Sequence, residues 1–552
     1  HGDRDAIVFE GTIWTYRELD ARANAYAHWA SSIGLKAGDV VALFMHNRPD
    51  YIAIWYGLAK LGVVSALINH NLQGGALLHC VTIAQSKAVI VGGEVAPLWA
   101  SIDGQLGDLP VWFEGGDCAQ SQDLRANVSQ QPTHAPSREM RAGLTGKDAC
   151  FYVYTSGTTG NPKAALLTHA RVQIMSKTFI GPTGTCETDR VYCPLPLYHS
   201  TGGICGVGIA LNTGAALVLR GKFSATQFWD DVVEHKCTIF VYIGELFRYL
   251  VATPAHAKEK AHKLRACFGN GLRADVWARA QDRFGLTRIV EFYGSTEGNV
   301  SFINVDSTMG AVGRIPPYMK KRFNVELVRF DVEQERPVRN ASGFCEICAP
   351  DEVGEAIGKI DPNSARGRFD GYANDAGATQ KKLLRDVFEA GDLWFRTGDL
   401  LKQDKHGYFY FVDRIGDTYR WKGENVSTNE VSEAIATFEG IEQVNAYGVD
   451  VPNTDGRAGM AVIVTHQSLD MTALARHILG ELPAYAVPLF LRFQSEVEVT
   501  GTFKYKKQDL VKEGFDPAHI KDPLYVFDAP TGQYQPLTSA RFADIQAGNM
   551  RF

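Results

Sequence analysis

Apolar and polar positions along the first two thirds of this chain follow two different periods, and the switches between them lay out its elements. Apolar side chains at three- and four-residue spacing predict helices over residues 16–33 and 51–61. Short, nearly continuous apolar runs predict buried strands at 40–45, 63–68 and 87–93. Strands alternating with helices in this way imply an α/β architecture with parallel sheets. The stretch 120–147, rich in Gln, Pro, Ser and Arg, reads as a loop. The longest apolar run, 202–219, is broken by Asn212, Thr213 and five glycines, so it reads as a buried helix followed by a strand rather than a membrane span. Beyond Asp413 the pattern becomes a smaller α+β unit, with helices at 429–438 and 471–479 and strands at 443–449 and 459–465. A boundary falls at 414–417, where Gly416 offers unrestricted φ and ψ for a hinge.

Candidate chemistry begins at residues 154–163, which read YTSGTTGNPK. The hydroxyls of Thr155, Ser156, Thr158 and Thr159, on a backbone freed by Gly157 and Gly160 to wrap an anion, form a polyphosphate cradle. Asn161 and Pro162 supply turn chemistry that holds the Lys163 ammonium at the mouth of the loop. The spacing G-x-x-G-x-x-K is not the G-x-x-x-x-G-K-[ST] of a Walker A loop. A strand-like approach (149–154) and an amphipathic exit from Ala164 set the segment between structural elements.

A second Gly, Ser and Thr turn, Gly294, Ser295 and Thr296, ends in Glu297. A carboxylate beside a phosphate cradle suits Mg²⁺, which takes one or two protein oxygens plus substrate phosphates. Nearby, Gly269, Gly271 and Ala274 make G-x-G-x-x-A, with Glu291 at the distance where a dinucleotide fold places its ribose carboxylate. That competing NAD reading is weakened because Glu291 runs straight into the second turn. Asp399, in RTGD, can accept two hydroxyl hydrogen bonds, the chemistry of ribose recognition. Cys345 and Cys348 form one CxxC pair, but in a strand-like stretch an offset of three puts them on opposite faces, against a zinc or redox role.

At 552 residues the chain needs at least two domains, and 45% apolar with 21% charged residues is an ordinary globular composition. A net charge of −6 gives no electrostatic footprint for nucleic acid. Ten cysteines without framework spacing suggest a reducing, cytoplasmic setting. The chain opens on HGDRDAIVF with no secretory signal, already inside a strand, as a trimmed start would.

The ordered series YTSGTTGNPK, PLYHSTGG (196–203), FGNGLRADVW (268–277), EFYGSTEGN (291–299), WFRTGD (394–399), DRIGDTYRWKGENVS (413–427) and TGTFK (500–504) resembles the adenylate-forming superfamily of acyl-CoA synthetases, adenylation domains and luciferases. Within it, TYRWKGENVST (418–428) and LYVFD (524–528) are similar to the fatty acid transport protein / very-long-chain acyl-CoA synthetase family. The resemblance implies a large N-terminal domain of several subdomains with parallel-rich sheets (1–414), binding ATP and the acyl group, and a small mobile α+β C-terminal domain (415–552). It implies that Gly269, Asn270, Gly271 and Tyr293 line the adenine, that Thr296 touches phosphate, that Glu297 holds the metal and that Arg414 joins Asp399 at the ribose. It places His199 beside the carboxylate end of the acyl pocket and Lys504 on the carboxylate and α-phosphate, although the family's usual P-K-T-x-x-G-K is here V-T-G-T-F-K. Lys422 and Gly423, in the WKGEN segment, would reach the coenzyme A channel.

The implied reaction is ATP-dependent synthesis of a long-chain or very-long-chain fatty acyl-CoA through an acyl-adenylate, with a fatty acid or other bulky lipophilic carboxylate as substrate. A sterol-type or aryl acid, a lipid-uptake protein coupled to acylation, and a luciferase-like oxygenase are the alternatives, the last disfavoured by WKGEN. The chain is open to a peripheral contact with the cytoplasmic face of a membrane and to homodimer formation.

Overall fold

The computed structural model of the protein describes residues 1–116, 122–155, 162–332, 334–421, 424–452, 454, 456–495 and 507–550. Strands Val40–Phe44, Val64–Leu67 and Ala88–Gly92 run parallel in the middle of a seven-stranded sheet. All their residues are buried, as strands covered on both faces require. An eight-stranded sheet holds Arg190–Cys193, Ile239–Ile243, Ala266–Asn270 and Ile289–Gly294 as parallel neighbours in that order.

Helix Tyr16–Ser32 starts where Thr15 and Glu18 satisfy each other's backbone N–H groups in a capping box. Its buried stripe, with Leu19, Ala23, Tyr26, Ala27 and Ala30, follows the three- and four-residue spacing of an amphipathic helix. It packs on helix Pro49–Lys60 so closely that a Cβ on Gly57 would lie 2.5 Å from the Ala23 carbonyl oxygen, which only glycine permits. One core runs through these helices and the eight-stranded sheet, with Trp29, Trp229 and Trp277 fully buried. Burying such a large side chain contributes roughly 1.5–3 kcal/mol each.

The run 202–219 becomes a π-helical turn Ser200–Gly206, a helix Val207–Leu211 and a strand Ala216–Leu219. Among the described residues no helix is long and apolar enough to cross a membrane. The stretch 120–147 is not wholly loop. It contains an edge strand Gln122–Asp123, and a helix Leu124–Ser129 that starts where Asp123 accepts the Ala126 N–H at 3.0 Å. These elements are too short to show a period in the sequence.

A third sheet is antiparallel and contains Val325–Asp331, Val353–Lys359, Leu393–Gln403 and Tyr408–Arg414. Cys345 packs with Val328 and Trp394, whereas Cys348 packs against the cluster of Leu327, Ala356 and Phe395, so the two thiols do face opposite sides. Burial pushes the Cys348 thiol up to about 12. Among the described residues there is no metal-holding group of three His, Cys, Asp or Glu side chains.

Past Tyr419 a separate core encloses a five-stranded sheet, Gln443–Asp450, Arg457–Val464, Phe490–Gln494, Leu524–Asp528 and Gln533–Pro536. Helices Thr428–Ala436 and Met471–Glu481 bury Val431, Ile435, Leu474 and Ile478 against it.

Candidate active site

Thr155 ends strand Ala149–Thr155 and pairs with Lys163, the first residue of strand Lys163–Thr168. The two ends of the proposed cradle are therefore fixed by an antiparallel ladder, and Lys163 stands outside any helix. Ser156, Gly157, Thr158, Thr159 and Gly160 lie outside the described residues. Tyr372 lies against the Lys163 end, whose ammonium is 5.6 Å from the centre of its ring. The same phenol donates to Glu297 Oε1 at 2.7 Å. Burial and the adjacent Glu297 carboxylate hold the Tyr372 hydroxyl well above its ordinary pKa, so it stays a neutral donor.

The turn that carries Glu297 is built from beneath by Arg171, on helix His169–Lys177. Its guanidinium donates to the Thr296 carbonyl at 3.1 Å, to the Ser295 carbonyl at 3.4 Å and to the Gly298 carbonyl. Burial lowers the pKa of this arginine, and Glu297 and Asp370 oppose the shift. Ser295 Oγ accepts the Gly298 N–H at 3.1 Å, and a Cβ on Gly298 would lie 2.3 Å from that oxygen, so the turn has no room for another residue.

The π-helical turn brings a third segment to the site. Ser200 Oγ is 3.2 Å from Thr296 Oγ1, and Thr201 Oγ1 donates to Asn270 Oδ1 at 3.4 Å. His199 precedes this turn, accepts the Gly203 N–H at 2.7 Å and has its ring 4.3 Å from that of Tyr198. A Cβ on Gly203 would fall 2.0 Å from the Leu197 carbonyl oxygen, so the widened helix depends on glycine.

A separate cluster forms where the second and third sheets meet. Tyr293 donates to Asp399 Oδ2 at 2.6 Å, and Arg414 Nε lies 3.7 Å from Asp399 Oδ1. Asp399 and Arg414 are direct partners across the ladder, so backbone pairing sets their separation. Glu355, wholly buried, accepts from Arg396 Nη2 at 2.7 Å and from the Gly398 N–H at 3.2 Å, which fixes the turn before Asp399. Gly294 closes strand Ile289–Gly294 beside Ser301.

Gly269 and Asn270 end strand Ala266–Asn270, and Gly271 follows with φ 79°. The dinucleotide reading fails here because Glu291 is 1% exposed and turned inward, accepting from Tyr242 at 2.5 Å and from the Leu272 N–H at 3.0 Å. Its carboxyl cannot reach a ribose.

At the proposed domain boundary Asp417 N–H donates to the Arg414 carbonyl at 3.0 Å across a turn with Gly416 at φ 90°, the positive value a type II turn needs at that position. Buried Asp413 accepts from the Thr428 N–H at 2.6 Å and the Thr428 hydroxyl at 3.0 Å. Burial raises the Asp413 pKa, which Lys507 opposes. Lys507 donates to Thr428 Oγ1 at 2.6 Å and lies 3.3 Å from Asp417. Lys504, Lys422 and Gly423 lie outside the described residues.

The structure thus groups Thr155, Lys163 and Glu297 in one place, and Tyr293, Asp399 and Arg414 in another. Tyr372, Arg171 and Glu355 connect or support these groups and were not singled out in the sequence. A Gly-Tyr pair before a short helix is the only local signal for Tyr372, and a lone arginine in an amphipathic helix gives none for Arg171.

Residues 1–355 match the family described as AMP-binding enzyme, and residues 430–504 match the AMP-binding enzyme C-terminal domain. The chain is 42% identical to long-chain fatty acid transport protein 6 of Mus musculus, over 99% of this chain and 88% of that relative. It is 41% identical to long-chain fatty acid transport protein 1 of Homo sapiens, over 99% of this chain and 85% of that relative. An anthranilate CoA ligase in complex with anthranoyl-AMP has the same fold, with a TM-score of 0.78 at 21% identity, covering 92% of this chain and 94% of the other. A fatty acyl CoA synthetase from Mycobacterium tuberculosis superposes with a TM-score of 0.65 at 24% identity, covering 92% and 95%.

Proposed function

Because the chain belongs to the AMP-binding enzyme family, and within it to the long-chain fatty acid transport proteins, we propose that it is an ATP-dependent acyl-CoA synthetase for long-chain or very-long-chain fatty acids. The observation that carries this reading is the convergence on Tyr372 of the Glu297 carboxylate and of Lys163, which closes the hydroxyl-rich segment by pairing with Thr155. A carboxylate is a poor acyl donor, so the acid first attacks the α-phosphate of ATP and expels pyrophosphate to give an acyl-adenylate, and the thiol of coenzyme A then attacks its acyl carbon and displaces AMP. In the first step the protein's task is positioning and charge neutralisation.

Thr155 to Gly160 and Lys163 would cradle the β- and γ-phosphates. Gly269 to Gly271 and Tyr293 would face adenine, Asp399 and Arg414 the ribose, and Thr296 a phosphate. Glu297 fits a Mg²⁺ site, because one of its oxygens is oriented by Tyr372 and a single carboxylate is the usual protein share of such a site. When bound, the metal neutralises charge on the phosphates. His199 would border the acid's carboxylate, and Lys504 would bridge that carboxylate and the α-phosphate. Residues 415–552 would then turn about Gly416, bringing Lys422 and Gly423 to coenzyme A. All described cysteines are free, which supports a cytoplasmic setting, and the lipophilic substrate supports a peripheral membrane contact.

Pyrophosphate release, measured across acids of increasing chain length with ATP, Mg²⁺ and coenzyme A, tests the reading. Release that depends on a long-chain acid and is accompanied by AMP is expected. No release with any acid overturns it.

A further inference from the structure

Tyr242, Gly269 and Glu291 occupy matched positions on three adjacent parallel strands, Gly269 pairing with Tyr242 on one side and with Glu291 on the other. Neighbouring strands lie about 4.8 Å apart, so a tyrosine can reach the second strand away only by passing over the one between. Gly269 allows that passage. A Cβ there would sit 2.0 Å from the Tyr242 carbonyl oxygen and 2.7 Å from Tyr242 Cδ2. The ring crosses in the space a side chain would fill, and its hydroxyl donates to Glu291 Oε2 at 2.5 Å.

The other carboxyl oxygen of Glu291 accepts the Leu272 N–H at 3.0 Å. Tyr242 and Glu291 are 0% and 1% exposed. A buried carboxyl costs stability unless its hydrogen bonds repay the lost hydration. Here one of those bonds comes from a turn in which Gly271 has φ 79° and its carbonyl leaves no room for any side chain on Gly244, where a Cβ would lie 1.7 Å away. The turn is therefore held from below by a side chain and from beside by a glycine.

We propose that Glu291 and Tyr242 form a positioning pair that fixes the backbone of residues 269–272 in the shape that receives the nucleotide. The proposal rests on the reading of 269–271 as the adenine-facing segment. Neither residue touches the nucleotide: both act through the Leu272 amide. Gly269 is needed here for a second reason beyond close approach to a ligand, namely the corridor it leaves for the tyrosine ring.

The test uses Tyr242→Phe and Glu291→Gln in the full chain, reading amide hydrogen exchange at 270–273, the affinity for AMP by calorimetry, and the KM for the fatty acid. Loss of one buried hydrogen bond should raise the Kd for AMP about tenfold and speed exchange at Leu272 by at least a similar factor, with the fatty acid KM unchanged. Tyr242→Phe deletes only a hydroxyl, so it decides the matter if Glu291→Gln does not fold. Exchange and Kd both within about twofold of the parent would overturn the pairing. Faster exchange with an unchanged Kd would show that the pair holds the turn but that the turn does not hold the nucleotide, which overturns the adenine assignment instead.

Discussion

The Tyr372 hydroxyl donates to Glu297 Oε1 at 2.7 Å although 75 residues separate the two. Tyr372 is 7% exposed and Glu297 8%, so water competes little for this bond. Its ring also lies beneath the Lys163 ammonium, and Lys163 pairs with Thr155 across the ladder, which ties the orientation of the carboxylate to the ends of the proposed phosphate cradle.

Glu297→Ala should lower kcat by on the order of 10² or more, as loss of a principal charge-stabilising group does. Tyr372→Phe leaves the carboxylate but frees its orientation, so a loss of roughly tenfold is expected, together with a higher Mg²⁺ concentration for half-maximal rate. Pyrophosphate release measured against Mg²⁺ checks both. Near-normal turnover of Glu297→Ala at limiting Mg²⁺ would remove the metal assignment.

Lys504 should serve only the first half-reaction, because its ammonium is needed where charge develops on the α-phosphate. Lys504→Ala should fail to form acyl-adenylate from ATP and acid, yet convert supplied acyl-adenylate and coenzyme A at close to the parent rate. Equal loss in the two assays would refute the division.

Burial raises the Glu291 carboxyl from 4.5 to about 8 in the folded protein. Between those values the folded chain holds a proton that the unfolded chain releases, so this group's contribution is greatest at acid pH and declines as pH rises towards 8. Glu291→Gln removes the titration. The melting temperature of the variant should gain on the parent by a few degrees between pH 5 and pH 8.5, as read by differential scanning calorimetry. Parallel curves across that range would show that the carboxyl is ionised in the fold.

Helix Tyr16–Ser32 was legible in the sequence because its cap, its stripe and its period agree, and the parallel strands because both faces are buried. The segment 120–147 was not, since Leu124–Ser129 is under two turns long and no period can develop. In the candidate site, residues joined by local motifs such as Gly294 to Glu297 stood out. Arg171 did not, because its contact with the Thr296 carbonyl spans 125 residues and depends on a backbone position that has no sequence signature. Glu291 was noticed for its spacing, yet its partner Tyr242 lies two strands away, and only the fold shows that Gly269 clears the way.

Gly416→Pro should separate the half-reactions. Proline holds φ near −65°, whereas the turn has φ 90° in this domain orientation. The variant should disfavour the orientation seen here, so that one of pyrophosphate exchange and thioester formation falls steeply while the other survives. Both remaining within about threefold of the parent would move the pivot away from 416, towards Asp413 or Asp417.

Nothing lies within 4 Å of the position a Cβ would take on Gly416. The residue is therefore selected by chirality rather than by volume. A D-alanine placed there by semisynthesis would prefer the very φ that an L-residue resists. It would keep the present orientation while withdrawing the mirror-image half of the conformational map, which makes this position a place where handedness alone could arrest a domain rotation.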